Sequence, residues 1–414
     1  MTGHSHFDRS LSIYSLLSSA HRQGSHELFT RLSRESPVHW DAYAAAWLVA
    51  GFPEVRTVLT SPNFSAMRIT TGRQSTAPSG SALDRAQEII ARQALFLDGA
   101  RHDAWRTIIR SVVTPARVDI LTPWIRTRIT QMIESGTGAR RDVVDDLARP
   151  LPLEVIGRLL GLPPGDLPAI GPWSDAYTRV VTGFEPERNE DVFEAVVEFA
   201  DYCAEIVRQR RRIPTDDGAG LLVRGADASG LFDDTDIAAN LLMLIAAGHQ
   251  TTTGLLAGAV LERIGPTFGP LHHRSDGPDE VEDLLTRVSP SRFVGRTVVA
   301  NTELGGQELL AGQSVLVLLA AANWQLLDAE TGSHRATRRS VAFGYGRHHC
   351  PGAHIARLEC RLILEELFRP DRSPVLLDPE IAWSENVNLP CPQHIPIQLM
   401  KGAADHAAER GTSR

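Results

Sequence analysis

The stretch that most constrains this chain lies near its C-terminus: Phe343-Gly344-Tyr345-Gly346-Arg347-His348-His349-Cys350-Pro351-Gly352. Three glycines and a proline crowd one cysteine, and apolar periodicity predicts a helix from Ala353 to Phe368. Glycine lets a backbone turn tightly or approach a ligand closely, at an entropic cost that a loop bears only for a reason. Such a loop presents the Cys350 sulfur and nearby main-chain N–H groups in a fixed direction. Amide donors and a following helix N-terminus favour thiolate over thiol, whose free pKa is about 8.5. Cys350 has no second Cys or His at zinc spacing, so its thiolate suits a single axial bond to a haem iron. Outside such a frame, a lone cysteine reads as a small buried hydrophobe.

Two further stretches carry chemistry-bearing side chains. His102 and Arg106 stand four apart, one above the other on a helix face. Two donors in that register suit a pair of carboxylates on one ligand, although spacing alone favours a solvated basic face. The acidic cluster Asp233-Asp234-Thr235-Asp236 is a helix N-cap, and the helix it starts runs to Ile264, stopped by Gly265-Pro266. Some thirty residues at 1.5 Å each make it roughly 45 Å long. At its middle stands Ala247-Gly248-His249-Gln250-Thr251-Thr252, a polar cluster with a glycine, which is a poor choice for stability in a buried helix. Gly248 permits close approach, and Thr251 can bond back to the previous turn and open a local groove.

These stretches, in this order, resemble the motifs of the cytochrome P450 superfamily, and the chain looks like the soluble bacterial type. The resemblance runs from about Pro37 to Leu399. It implies a mainly α (α+β) fold, a helical triangular prism with small β-sheets and a buried haem. The organisation it implies is an N-terminal segment (1–36), a single domain (37–399) and a disordered tail (400–414). The expected cofactor is haem b, iron protoporphyrin IX, with Cys350 as its metal ligand. Phe343, Gly344 and Gly352 shape the cofactor loop, and His348 is a propionate partner. His102 and Arg106 match the family's His-x-x-x-Arg helix and Arg296 its second propionate arginine. Gly248, Gln250 and Thr251 fall on the oxygen-binding helix, with Thr251 positioning water and helping to deliver protons.

The chain also departs from the family pattern. Gln250 takes the position of a carboxylic acid, and an amide cannot ionise, although it can hold a water; it reads equally as a polar filler bonded to backbone. The Glu-x-x-Arg pair falls on Asp283 and Thr286, so Asp283 is expected to pair with Arg287 at i,i+4 instead, either as a weakened buried pair or as a simple surface pair. Arg335, Arg338 and Arg339 compete for the associated structural arginine.

Elsewhere the sequence predicts a hairpin over Pro37–Asp41 and Ala46–Ala50, a short helix over Pro53–Leu59 and a mobile loop from Ala66 to Ala94. Helices are expected over Asp142–Pro163 and Leu167–Arg212, with a connector from Gly218 to Gly230. Strands follow from Ser289 to Leu319 with a turn at Gly305-Gly306. A terminal hairpin over Trp383–Leu399 has its tip near Asn386–Leu389. Ser291 to Gly295 and that tip are expected to line the substrate pocket.

A net charge of −8 argues against nucleic acid as a partner, and the four cysteines (Cys203, Cys350, Cys360, Cys391), which show no paired pattern in the sequence, fit a reducing cytoplasm. The longest apolar run, Leu241–Gly248, is far short of the ~18–20 residues a membrane span needs. The functional expectation is a monooxygenase that hydroxylates or epoxidises a small-molecule substrate in natural-product metabolism. No flavin or NAD fingerprint occurs, so ferredoxin and an NAD(P)H-dependent reductase are the expected partners. Arg110, Arg117, Arg347, Arg357 and Arg361 either dock the acidic partner or are ordinary surface charge. The alternatives are a non-catalytic auxiliary member of the family and a peroxide-using or rearranging haem-thiolate enzyme.

Overall fold

The computed structural model describes residues 11–17, 25–69, 78–135, 140–182, 189–265, 280–329 and 340–401. Arg335, Arg338, Arg339 and most of the 400–414 tail lie outside them. In chain order the helices are α1 (Ser25–Glu35), α2 (Phe52–Thr60), α3 (Ala82–Ala91), α4 (Gly99–Val112), α5 (Pro115–Asp119), α6 (Thr122–Glu134) and α7 (Pro150–Leu160). They continue with α8 (Leu167–Thr182), α9 (Glu190–Arg212), α10 (Gly218–Ser229), α11 (Asp234–Ile264), α12 (Glu280–Val288), α13 (Leu319–Ala329) and α14 (Ala353–Leu367). The strands are β1 (Val38–Asp41), β2 (Ala46–Val49), β3 (Phe64–Ser65), β4 (Arg140–Asp142) and β5 (Phe293–Val298). After them come β6 (Thr302–Leu304), β7 (Gln307–Leu309), β8 (Ser314–Leu318), β9 (Arg372–Leu376) and β10 (Pro396–Lys401).

The chain divides into two compact units, each assembled from separated segments. The first takes residues 1–68, 268–350 and 383–390. Its centre is a five-stranded sheet in the order β1-β2-β8-β5-β3, antiparallel except for the β2–β8 pair. Val49, Val55, Leu309, Val315 and Val317 form its dry core. Helix α1, which the sequence reading passed over, buries Leu28, Phe29 and Leu32. Its His26 and Phe29 rings lie 4.9 and 5.5 Å from Trp324.

The second unit takes residues 69–267, 351–382 and 391–414. It is built on α11, whose apolar residues face inward all round, with α7, α8, α9 and α14 packed against it. Asp233 caps α11 as expected: its side chain accepts from the Asp236 N–H while the Asp236 carboxylate accepts from the Asp233 N–H.

Four expectations need correction. The segment read as a mobile loop contains α3, capped by Ser81, whose Oγ accepts from the Asp84 N–H, and held by buried Ala82, Ala86 and Ile90; residues 70–77 lie outside the description. The connector at 218–230 is α10. Asp217 caps it, and Gly230 ends it at φ +64°, where glycine carries no Cβ penalty. Its glycines serve close packing: a Cβ on Gly225 would stand 2.8 Å from Ile108 Cγ2. The helix expected from Asp142 is modified at its start: Asp142 ends strand β4, and a π-helical turn over Val144–Ala148 leads into α7 at Pro150. The regular ladder of the terminal hairpin pairs β9 with β10 from Arg372 onward, and the expected Trp383–Leu399 turn-back is held at its base by the Gln393 N–H donating to the Ala382 carbonyl at 2.8 Å rather than by a strand pair.

Candidate functional site

In the first unit, the glycine loop folds around the cysteine. The Cys350 N–H donates to the Phe343 carbonyl at 2.8 Å, the Gly344 N–H to Val341 at 2.8 Å and the His349 N–H to Gly346 at 3.1 Å. Gly344 and Gly346 sit at φ +69° and +72°, which L side chains rarely adopt. A Cβ on Gly346 would also stand 2.7 Å from the Leu59 carbonyl oxygen at the end of α2. Between them, Tyr345 packs on the sheet core, and the Arg56 guanidinium lies 4.4 Å over its ring while donating to its hydroxyl at 2.7 Å. Cys350 is half-buried, as are Phe343, Gly344 and His348.

One fully buried amide anchors the start of this loop. Asn323 Oδ1 accepts from the Val341 N–H at 2.8 Å and from the Ser340 hydroxyl at 3.0 Å, and its Nδ2 donates to Ser289 Oγ at 2.8 Å. Ser289, at φ +40°, follows α12 directly and donates its hydroxyl to the Thr286 carbonyl. Within α12 the expected Asp283–Arg287 pair forms at 3.0 Å, with side chains only 13% and 10% exposed, so it is a buried pair rather than a surface one. Trp324 Nε1 closes over it by donating to the Arg287 carbonyl.

Arg296 projects from β5 and is buried, with one guanidinium N–H on the Gly295 carbonyl. Arg68 lies across Gly295, where a Cβ would meet its Cδ and Nε at 2.8 Å. The tip at Asn386–Leu389 docks on the start of β5: the Arg292 N–H donates to the Asn388 carbonyl and the Phe293 N–H to Asn388 Oδ1, both at 2.9 Å. The two stretches expected to line a substrate pocket therefore touch each other.

In the second unit, α4 carries His102 and Arg106. His102 is buried, its Nδ1 3.2 Å from Asp103 Oδ1. Burial, and to a lesser degree the Arg106 charge, hold its pKa below the usual imidazole value, against the pull of Asp103. A carboxylate bound there would raise it again. Gly352 is the N-cap of α14, its carbonyl accepting from the Ala356 N–H at 3.1 Å.

At the middle of α11, four residues interrupt an otherwise buried run. Ala247 is exposed, and Gly248, Gln250 and Thr251 are half-buried. Gly248 is where α7 comes closest, since a Cβ would stand 3.0 Å from Ile156 Cγ1. The Thr251 hydroxyl donates to the Ala247 carbonyl at 2.7 Å, the back-bond its position predicts. Its oxygen can still accept a hydrogen bond at this opening in the buried run.

Gln250 bonds side chains of two helices rather than backbone. Its amide donates to Asp175 of α8 and, at 3.0 Å, to His249 Nδ1. His249 also has Nε2 3.2 Å from the Arg149 carbonyl and Nδ1 3.1 Å from Ser174 Oγ. A carbonyl only accepts, so Nε2 carries the proton and Nδ1 is the acceptor. Burial first, and the Arg149 charge second, push the His249 pKa down to about 4. Sequence reasoning missed Asp175, Ser174 and Arg149; nothing in an aspartate on an amphipathic helix announces a partner 75 residues away.

A single soft sulfur on a rigid loop, with a buried guanidinium in the same unit, fits a thiolate-bound metal cofactor. The imidazole and guanidinium of α4 fit one that bears carboxylates. No protein-family model matches the chain. It is 29% identical over 392 residues to the cytochrome P450 monooxygenase PikC of Streptomyces venezuelae, covering 90% of this chain and 91% of that one. It is 30% identical over 364 residues to the 20-oxo-5-O-mycaminosyltylactone 23-monooxygenase of Streptomyces fradiae, covering 84% and 83%. The structure of the cytochrome P450 CYP109Q5 from Chondromyces apiculatus matches with a TM-score of 0.77 at 25% identity, over 94% of this chain and 98% of that one. Among the described residues, no helix is long and apolar enough to cross a membrane. The chain has the fold of, and belongs to, the cytochrome P450 family of haem-dependent monooxygenases.

Proposed function

We propose that the chain hydroxylates or epoxidises a small natural-product molecule, with haem b held by Cys350 as the sole protein ligand to iron. Bound there, the haem supplies the activation of dioxygen for insertion of one oxygen atom into the substrate. The observation that carries the reading is the cysteine loop. Its two left-handed glycines and its bond from Cys350 N–H to Phe343 O hold the backbone that carries one sulfur, which supports the reading.

The other residues have supporting parts. His102, Arg106, Arg296 and His348 supply donors for the two propionates. Gly344 lets the loop turn, and Phe343 offers the carbonyl that holds the Cys350 amide. Gly352 starts α14. Thr251, with its proton committed to Ala247, accepts a hydrogen bond from a water at the opening in α11, while Gly248 keeps that stretch pressed against α7. Electrons come from a ferredoxin and its NAD(P)H-dependent reductase, which meet Arg110, Arg117, Arg347, Arg357 and Arg361. That a relative is named for oxidising a mycaminosyl lactone supports a natural-product substrate.

The test is a spin-state titration of the haem-loaded protein against biosynthetic intermediates, followed by product analysis with ferredoxin, reductase and NAD(P)H. A tight shift with one oxygenated product is expected. Turnover with peroxide but none with the electron-transfer chain would replace this reading with a peroxide-using enzyme, and a protein that retains no haem would make it an auxiliary.

A further inference from the structure

The opening in the buried run of α11 has no carboxylic acid, because Gln250 is an amide and the ionisable His249 beside it is buried. We propose that Asp175, reaching across from α8 and held by Gln250, is the proton-holding carboxylate for this opening. Gln250 then acts as the positioning residue between that acid and Thr251. The inference rests on the monooxygenase reading above, since a reductive cycle is what consumes protons there.

Three observations support it. Gln250 spends an amide N–H on the Asp175 carboxylate, and the orientation of its amide is set by the second contact to His249 Nδ1. The Asp175 side chain is 46% exposed, so the carboxylate keeps access to water while Gln250 grips one oxygen. The neighbouring ionisable side chains leave the acid role to Asp175. His249 is buried with its pKa pushed down to about 4, and Cys391 is buried with its pKa pushed up to about 11, so neither changes charge near neutral pH.

The groups facing Asp175 come from each element packed on it. Arg149, the N-cap of α7, lies 3.7 Å away; Arg179 is one turn along α8; His249 and Gln250 belong to α11; and Cys391 lies on the approach to β10. Desolvation raises the Asp175 pKa above the ordinary carboxylate value, while Arg149, the Gln250 hydrogen bond and Arg179 oppose it. A carboxyl whose pKa is raised takes up and holds a proton more readily than an ordinary surface carboxylate, as a proton-holding group must. The step is a bare proton transfer. The protonated Asp175 gives one proton to a water at the opening and becomes a carboxylate facing Arg149, and bulk water returns the proton through its exposed side.

The exchange of partners tests this. In Asp175→Asn an amide faces an amide, so the hydrogen bond survives and only the ionisable group is lost. Turnover supported by ferredoxin is expected to fall about 10²-fold, with the acid limb of the pH profile gone and melting temperature and haem content kept. Asp175→Asn combined with Gln250→Glu reverses the pair and is expected to recover most of the loss. Independently of turnover, isotope-edited infrared spectroscopy of the resting haem-loaded protein should place the Asp175 carboxyl above its ordinary pKa, and higher still in Gln250→Leu, where the amide donor is gone. Wild-type-like turnover in Asp175→Asn, a loss that the reversed pair does not repair, or an ordinary Asp175 titration indifferent to Gln250 would each overturn the proposal. A wild-type protein without ferredoxin-supported turnover would sink the monooxygenase reading instead, and the infrared titration would still decide whether Asp175 is the proton-holding group.

Discussion

The cysteine loop and the middle of α11 reach order by opposite means. The loop is defined by its own backbone: two glycines at positive φ, a chain of short-range N–H to carbonyl bonds, and a cysteine whose amide closes the turn. The middle of α11 is regular helix, and what distinguishes it comes from side chains on other helices: Ile156 of α7 against Gly248, and Ser174 and Asp175 of α8 against His249 and Gln250. Chemistry written in backbone is compact in sequence. Chemistry written in side-chain partnership is dispersed, and a single substitution such as an amide for an acid at 250 can be answered elsewhere.

The sharpest challenge to this contrast is Asn323, because it would show how far the loop leans on distant support. Asn323→Ala takes away the acceptor of the buried Val341 N–H and one hydrogen bond each from Ser289 and Ser340, whose hydroxyls keep Thr286 and Ala342 as partners. Calorimetry should show a loss of about 2–5 kcal/mol, one unmet buried N–H at roughly 1–3 kcal/mol and two lost hydrogen bonds at about 0.5–1.5 kcal/mol each. A loss below about 1 kcal/mol would mean the loop stands on its own backbone.

Next in size is the acid response of α11. The His249 pKa lies at about 4 when folded against 6.5 when free. The unfolded chain therefore binds the proton more readily between those values, and stability present above pH 6.5 is lost as pH falls toward 4. The difference corresponds to on the order of 3 kcal/mol. His249→Gln should flatten that part of the pH–stability curve; an unchanged slope would show that His249 is not held neutral.

The two loop glycines give a paired comparison of similar size. Gly346→Ala meets both a left-handed φ and the Leu59 carbonyl, for about 2–4 kcal/mol, whereas Gly344→Ala meets only the φ, its nearest neighbour being 3.6 Å away, for about 1–2 kcal/mol. Equal costs in thermal unfolding would remove Leu59 from the account of loop shape.

What the sequence made legible follows the same division. The loop, the N-cap and stop of α11, the Thr251 back-bond and the Asp283–Arg287 pair are all set by residues within a few positions of one another, so spacing was sufficient. Helices α3 and α10 were misread because Ser, Gly and Asp were taken as loop formers, whereas Ser81 and Asp217 are caps and Gly225 makes room for Ile108. Asp175 and the anchoring bonds of Asn323 were invisible for a different reason: they exist only once segments far apart in sequence meet.

The central claim is a bond from Cys350 sulfur to haem iron. The absorption spectrum of the reduced, carbon monoxide-treated protein, read beside a Cys350→His variant, tests it most directly. The account predicts the thiolate-ligated band in the wild type and its complete replacement by the imidazole-ligated band in the variant. A wild-type spectrum without the thiolate band, or a variant that keeps it, would contradict the account.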